Sequence, residues 1–300
     1  VAGISDFAVQ VPSPLVELRD MALDRHDIRL YLKRDDLIHP DIPGNKWRKL
    51  KYNIASAKEQ NATSLLTFGG AYSNHIRATA AAGHYIGFRT IGIIRGEEHL
   101  PLNPSLDYAV SLGMHLSYLD RASYRTKTSP AILNQLHDMF GEFYLIPEGG
   151  SNELALAGCK ELPQEIDINF DTICCACGTG GTLAGIAAGL RPGQQALGFS
   201  VLKGGDFLRN DVSDLQRRTF GEDTGNWSIA CDFHMGGYAR RNRELDDFIE
   251  SFERRHGFRL DWVYVAKMMY GIFSMIEQGK FPQGTTLIAV VTGERQPLDV

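Results

Sequence analysis

The chain lacks any apolar run long enough to cross a bilayer as a helix, which argues against a helical membrane protein. It also lacks an excess of positive charge. Lys plus Arg number 31 against 36 Asp plus Glu, a formal net charge of -5. No general attraction to nucleic acid or to an anionic membrane is expected. Cysteine is scarce: Cys159, Cys174, Cys175, Cys177 and Cys231 are an odd set without regular spacing. That argues against a disulfide framework and for a reducing, cytoplasmic setting. Cys174 and Cys177 form a CxxC, but a second ligand pair for zinc is missing, so no metal is expected. They end an apolar strand and read as buried thiols. The stretch Val1 to Gln10 holds Asp6 and no basic flank before an apolar run, so it does not read as a signal peptide. Internal repeats, heptads and low-complexity tracts are absent.

What is present is 300 residues, 43% hydrophobic and 22% charged. This is ordinary globular composition, with length for two domains or one large one. Strand and helix patterns alternate. Ser64 to Phe68, Thr90 to Ile94, His115 to Tyr118 and Phe143 to Ile146 read as strands. Helices are expected over Asn74 to Tyr85, near Ser105 to Leu112, and over Pro130 to Phe140. A second series has strands Thr172 to Ala176, Ala196 to Val201 and Thr286 to Val291. Its helices are Gly181 to Leu190, Asp206 to Arg217 and Val263 to Gln278. The fold class is therefore α/β, two doubly wound three-layer α/β/α units with mostly parallel sheets. Ligands in such sheets gather at the carboxyl ends of strands, where Gly69-Gly70, Gly149-Gly150, Gly178 to Gly181 and Gly293 stand. The charge clusters Arg240 to Glu244 and Glu253 to His256 read as solvated helix faces.

Two motifs carry chemistry. In Pro43-Gly44-Asn45-Lys46-Trp47-Arg48-Lys49-Leu50, a lysine follows a Gly-Asn turn with two more cations close by. Far downstream, Gly178-Thr179-Gly180-Gly181-Thr182 is suited to a phosphate. Its glycines let the backbone approach, a helix start supplies amides, and two threonines supply hydroxyls. A reactive amine and a distant phosphate cup fit an aldehyde cofactor bearing a phosphate, pyridoxal 5'-phosphate (PLP). A dinucleotide fingerprint is the rival reading, but Leu183 occupies the position of its third glycine and no acidic residue follows at ribose distance. A plain structural turn is the other alternative. Gly69-Gly70-Ala71-Tyr72-Ser73-Asn74-His75 joins a strand to a helix. It reads as a carboxylate receptor or as simple capping, and both uses employ the same amides.

These motifs occur in order with Ile146-Pro147-Glu148-Gly149-Gly150-Ser151. The set resembles the fold-type II PLP enzymes, the tryptophan synthase β-like group, from about Pro12 to Thr292. More narrowly it resembles the branch of 1-aminocyclopropane-1-carboxylate (ACC) deaminase and D-cysteine desulfhydrase. The resemblance implies that Lys46 forms the Schiff base. It implies that Lys49 and Gly178, Thr179, Gly180, Gly181 and Thr182 hold the phosphate, that Asn74 meets the phenolic oxygen, and that Thr292 meets the pyridine nitrogen. Ser73 and His75, with Tyr72 beside them, would face the substrate. Tyr238 and Tyr264 match two active-site tyrosines, the second carried by Asp261-Trp262-Val263-Tyr264 with Lys267 and Gly271. A homodimer is implied, as is PLP in an interdomain cleft. The large domain would be 1–49 with 147–300 and the small inserted domain 50–146; closure of the small one would bring Ser73 to the substrate.

Substrate choice follows from departures. ACC deaminases of the family carry Glu after the second tyrosine, Leu at the position of Thr292, and Gln at that of His75. This chain has Val265, Thr292 and His75, which favours β-elimination from a D-amino acid such as D-cysteine. Pro43, Tyr72, Val265-Ala266 and Gly293-Glu294 also depart from the family pattern and leave substrate identity open. The alternatives are ACC ring opening, PLP binding without turnover and, of another class, a nucleotide-dependent oxidoreductase.

Overall fold

The computed structural model describes residues 9–42 and 44–293. Pro43, Glu294 and most of the Val1 to Gln10 stretch therefore lie outside the described residues. In chain order the strands are β1 (Leu15–Leu18), β2 (Arg29–Arg34), β3 (Ser64–Gly69), β4 (Arg89–Arg95), β5 (Met114–Leu119), β6 (Tyr144–Ile146), β7 (Thr172–Cys177), β8 (Gln195–Ser200), β9 (Trp227–Ala230) and β10 (Thr286–Val291). The helices are α1 (Met21–Arg25), α2 (Asn45–Glu59), α3 (Asn74–Ile86), α4 (Pro104–Ser111), α5 (Arg121–Arg125), α6 (Pro130–Phe140), α7 (Glu153–Lys160), α8 (Gly181–Ala188), α9 (Leu208–Phe220), α10 (Arg243–His256) and α11 (Val265–Glu277).

The described residues form two compact units, Leu50–Gly150 and Gln10–Lys49 with 151–293. The first holds a sheet of order β5-β4-β3-β6, parallel throughout. Leu66, Phe68, Ile91 and Ile93 pack on Tyr124 and Leu136 from α5 and α6. On another cluster, Ile94 and Met114 pack on Ile76 and Ala80 of α3 and on Leu106 and Ala109 of α4. Helices thus cover both faces of a sheet whose central strand β3 is buried along its whole length.

The second unit holds a sheet of order β1-β2-β10-β7-β8-β9. Only the β1–β2 pair is antiparallel; the rest run parallel. The period of two is explicit in β10. Leu287, Ala289 and Val291 join one core with α10 and α11, and Ile288 and Val290 join another with α7, α8 and α9. Each unit is therefore a three-layer α/β/α arrangement, as the alternating sequence pattern predicts.

Helix ends follow local chemistry. Pro130 opens α6, and Ser73 caps α3, which ends at Gly87 in the left-handed region, φ 84°. Three readings need correction. Arg240 to Glu244 is not a helix face, since Arg240 to Asn242 precede α10, whose N-cap is Asn242. The helix expected from Asp206 is a 3-10 turn over Gly205–Phe207 followed by α9, which continues to Phe220. The cluster Glu253 to His256 is not merely a solvated face: Arg255 and His256 both bond Asp20, the N-cap of α1. The thiols behave as expected. All five cysteines are free, and Cys174 packs in a different core from Cys175 and Cys177. Alternation along β7 thus turns Cys174 and Cys177 to opposite faces. Among the described residues, no helix is long and apolar enough to cross a membrane.

Candidate active site

The lysine motif begins where the chain turns against the end of β10. Gly44 N–H donates to the Asp35 carbonyl, 2.8 Å. Gly44 sits at φ +62°, and a β-carbon there would lie 1.7 Å from the Thr292 carbonyl oxygen. Only glycine fits that approach. It places the start of α2 beside Thr292, the residue after β10. The next residue ties this start to the glycine-threonine loop, for Asn45 Nδ2 donates to Thr182 Oγ1 at 2.8 Å.

Lys46 is half-buried, and its amine lies in a place that disfavours charge. Burial, then the neighbouring Lys49 ammonium, lower it to about 7, against an opposing pull from Cys159. A large share of the amine is therefore neutral near pH 7, as a nucleophile or proton acceptor requires. Lys49 is buried and also lowered, by burial first. Its ammonium donates to Ser151 Oγ at 3.0 Å, and Ser151 Oγ shares a 2.7 Å hydrogen bond with Thr179 Oγ1.

Arg48, between the two lysines, is clamped. It forms a two-point pair with Asp35, at 2.7 and 2.8 Å, and another with Glu165, at 2.7 and 2.9 Å. Lys33 adds a 2.8 Å bond to Glu165. Burial alone would raise Glu165, but Arg48 and Lys33 outweigh it and hold the carboxyl at about 2. This buried network fixes the first turn of α2 to β2, the 3-10 turn Asp35–Leu37 and the 3-10 turn Leu162–Glu165.

The loop after β7 is shaped for an anion. Gly180 is the N-cap of α8, at φ 75°, with no side-chain cap. The helix thus offers its first amides outward. A β-carbon on Gly181 would lie 2.6 Å from Ser151 Oγ and 3.2 Å from Lys49 Nζ. The Lys49 ammonium, the Ser151 hydroxyl and its partner Thr179 lie beside the start of α8, where Thr182 stands, and a β-carbon on Gly181 would intrude on them. That donor set fits the phosphate of PLP.

The two tyrosines join the same unit. A β-carbon at Gly178 would lie 3.3 Å from Tyr264 Cε1, so the Tyr264 ring covers the start of the loop. Tyr238 meets Tyr264 edge to face, centroids 6.0 Å apart. Asp261 accepts from the amides of Val263, Tyr264 and Val265, at 3.0, 2.9 and 2.7 Å. Lys46, Lys49, Gly178 to Thr182, Tyr238, Tyr264 and Thr292 thus form one connected cluster.

Tyr72, Ser73, Asn74 and His75 belong to the other unit. Ser73 caps α3, its Oγ accepting from the Ile76 amide at 3.4 Å, and Asn74 is the first helical residue. A β-carbon on Gly69 would collide with Ile76 and Ser73, so the turn closes tightly on β3. Tyr72 is 63% exposed. His75 is buried. Thr67 Oγ1 donates its one proton to the Ile146 carbonyl, 2.8 Å. Its oxygen therefore accepts from His75 Nε2–H at 2.8 Å, which selects that tautomer. The ring ties the first turn of α3 to β3 and β6.

Sequence reasoning gives no role to Asn45, Ser151 or Glu165 and reads Arg48 as a cation that helps keep Lys46 neutral, whereas Arg48 pairs with Asp35 and Glu165. Asn45 and Ser151 were legible as neighbours of Lys46 and of Gly149-Gly150. Nothing in the local sequence marks Glu165 as the partner of Arg48.

Comparison with known proteins agrees with this geometry. The family described as pyridoxal-phosphate dependent enzymes matches residues 8–293, and the chain belongs to that family. It is a PLP-dependent enzyme. Within the family it is similar to a bifunctional D-cysteine desulfhydrase/1-aminocyclopropane-1-carboxylate deaminase, mitochondrial, of Arabidopsis thaliana, 31% identical over 88% of this chain and 72% of that one. It is also similar to a D-cysteine desulfhydrase of Yersinia enterocolitica, 28% identical over 88% of this chain and 86% of the relative. A crystal structure of an ACC deaminase homologue superposes with TM-score 0.81, 26% identity, and coverage of 94% and 89%. Threonine deaminase isoform 2 from Solanum lycopersicum shares the fold, TM-score 0.70 at 17% identity.

Proposed function

We propose that the protein eliminates a β-substituent from a small D-amino acid, D-cysteine above all, giving a 2-oxo acid, ammonia and sulfide. The observation that carries the reading is the Lys46 amine, lowered to about 7, on a helix start hydrogen-bonded through Asn45 to the glycine-threonine loop. When bound, PLP supplies an electron sink for bond breaking at the substrate α-carbon. The chain's own residues do the rest. Lys46 Nζ is the covalent attachment point and then the acceptor of the α-proton. Lys49, Ser151, Thr179, Thr182 and the first amides of α8 hold the phosphate. Asn74 meets the phenolic oxygen and Thr292 the pyridine nitrogen. Ser73, with the first amides of α3, binds the substrate carboxylate, and Tyr72 and His75 shape that side of the pocket. Tyr238 and Tyr264 are the proton carriers for the departing sulfur. The released enamine hydrolyses to pyruvate and ammonia.

Two features favour D-cysteine over ACC. Val265 is fully buried at the start of α11 and brings no carboxylate. Thr292 offers a hydroxyl, which suits a neutral ring nitrogen and α-deprotonation. ACC has no α-hydrogen, and its ring opening is the second reading. We include in the proposal a homodimer, a reducing cytoplasmic setting, and a division into a large domain of 1–49 with 147–300 and a small domain of 50–146.

A paired assay tests the reaction. Pyruvate with sulfide from D-cysteine supports the proposal; 2-oxobutyrate from ACC transfers it to the second reading. A yellow protein that releases neither acid would be a PLP binder without turnover. Borohydride reduction and peptide mapping should find the pyridoxyl group on Lys46, and a label elsewhere would refute that assignment. Light scattering reads the oligomer.

A further inference from the structure

Lys267 lies two turns beyond Asp261 and is fully buried. Among the described residues no carboxylate lies within ion-pair distance of it. Its ammonium donates instead to one main-chain oxygen, that of Gly237, at 2.7 Å. A buried cation served by one neutral acceptor is unfavourable for folding. Burial lowers Lys267 to about 8, with Asp261 opposing. An apolar side chain would fill the same volume without that penalty.

What the ammonium grips is the residue before Tyr238. The surrounding loop is conformationally demanding. Met235, Gly236, Gly237 and Ala239 have φ of 53°, 92°, 120° and 49°, and two of them carry β-carbons in a region L-residues avoid. Its internal bonds are few. Gly236 N–H donates to His234 Nδ1, Gly237 N–H to the His234 carbonyl and Arg240 N–H to the Gly237 carbonyl. The Gly237 oxygen is therefore a hydrogen-bonded point at which α11 holds the loop, beside the apolar contact of Tyr270 with Phe233. At its start the same helix is tied to Tyr264 through the Asp261 cap. One helix thus fixes both rings of the edge-to-face tyrosine pair.

We infer that Lys267 is a positioning residue which, through the Gly237 carbonyl, sets the Tyr238 ring against Tyr264. The inference rests on the proposed role of the two tyrosines. A purely structural lysine would lose stability when replaced. A positioning lysine loses function while stability holds.

The test uses Lys267→Met, which keeps the stem and removes the donors, together with Tyr238→Phe and the double variant. If Lys267→Met does not yield folded protein, Lys267→Gln takes its place in the same cycle. Hydrogen exchange of the peptide 234–241 is read on the apo protein, and kcat on whichever of D-cysteine and ACC yields a keto acid. Support consists of faster exchange in that peptide, a Tm equal to or above the parent's, and kcat lower by about tenfold with KM within about twofold. In addition, Lys267→Met should cost nothing further in the Tyr238→Phe background. Unchanged exchange, a lowered Tm with intact kcat, or a full additional loss in the double variant overturns the inference. If Tyr238→Phe itself keeps the parent kcat, the tyrosine role fails and the positioning claim with it. If Tyr238→Phe is impaired while Lys267→Met is not, only the positioning claim fails.

Discussion

Asn45 Nδ2 donates to Thr182 Oγ1 at 2.8 Å across 137 residues of chain. That one bond registers Lys46, one residue on, against the glycine-threonine loop that we propose as the phosphate site. A side-chain hydrogen bond of this kind is worth about 1 kcal/mol net. Asn45→Ala should weaken PLP binding about fivefold in an absorbance titration of apo protein. Thr182→Val should do at least as much, and the double variant should fall short of the product of the two losses.

Gly181→Ala places a methyl 2.6 Å from Ser151 Oγ. The cradle has no room, so Ser151 and Lys49 must move. PLP affinity should drop by more than about tenfold, whereas the melting temperature of the apo protein should change little, since a local rearrangement relieves the clash. Equal affinity for parent and variant would show that the phosphate binds elsewhere.

Arg48→Met leaves Asp35 and Glu165 without their shared partner. Breaking a buried ion pair on one side costs roughly 3–5 kcal/mol, to be seen in urea unfolding. The acid limb has a defined sign. Glu165 is held at about 2, below the ordinary 4.5, so its stabilisation is fully present above about 4.5 and is lost as pH falls toward 2. Parent protein should lose urea resistance across that window, and Glu165→Gln should show a flatter profile.

Lys46 carries a penalty where Glu165 carries a gain, though stability rises with pH in both. Its buried charged form is penalised, so the penalty is complete below pH 7 and relieved as pH rises toward 10.5. Apo Lys46→Met should therefore gain most over the parent at pH 6 and least near pH 10, measured by thermal melts. Reductive labelling of apo protein with an aldehyde should rise at Lys46 through pH 7 and then level, while exposed lysines continue to gain.

Where one physical signal dominated, the sequence could be read closely. Pro130 at a helix start and the apolar run Leu287 to Val291 after the β-branched Thr286 marked α6 and β10. The α2 helix was missed although Trp47, Leu50, Ile54 and Ala57 form a buried stripe at helical spacing, because the buried Arg48, Lys49 and Asn53 interrupt the apolar pattern. Short elements such as β1 and α1 carry too few residues for a period to show. In the site, Lys46 and Gly178 to Thr182 stood out through glycine and cation spacing. The hold of Lys267 on Gly237, like that of Arg48 on Glu165, joins residues with no sequence relation and became visible only in three dimensions.

Strand β10 is the keel of its sheet. It lies between β2 and β7, yet among the described residues it follows every other strand along the chain. β1–β2 and β7–β8–β9 can pair before β10 emerges, but the two halves join into one sheet only through it. Until β10 arrives, β2 and β7 present open edges, and loss of β10 would split the sheet through its middle instead of trimming its border.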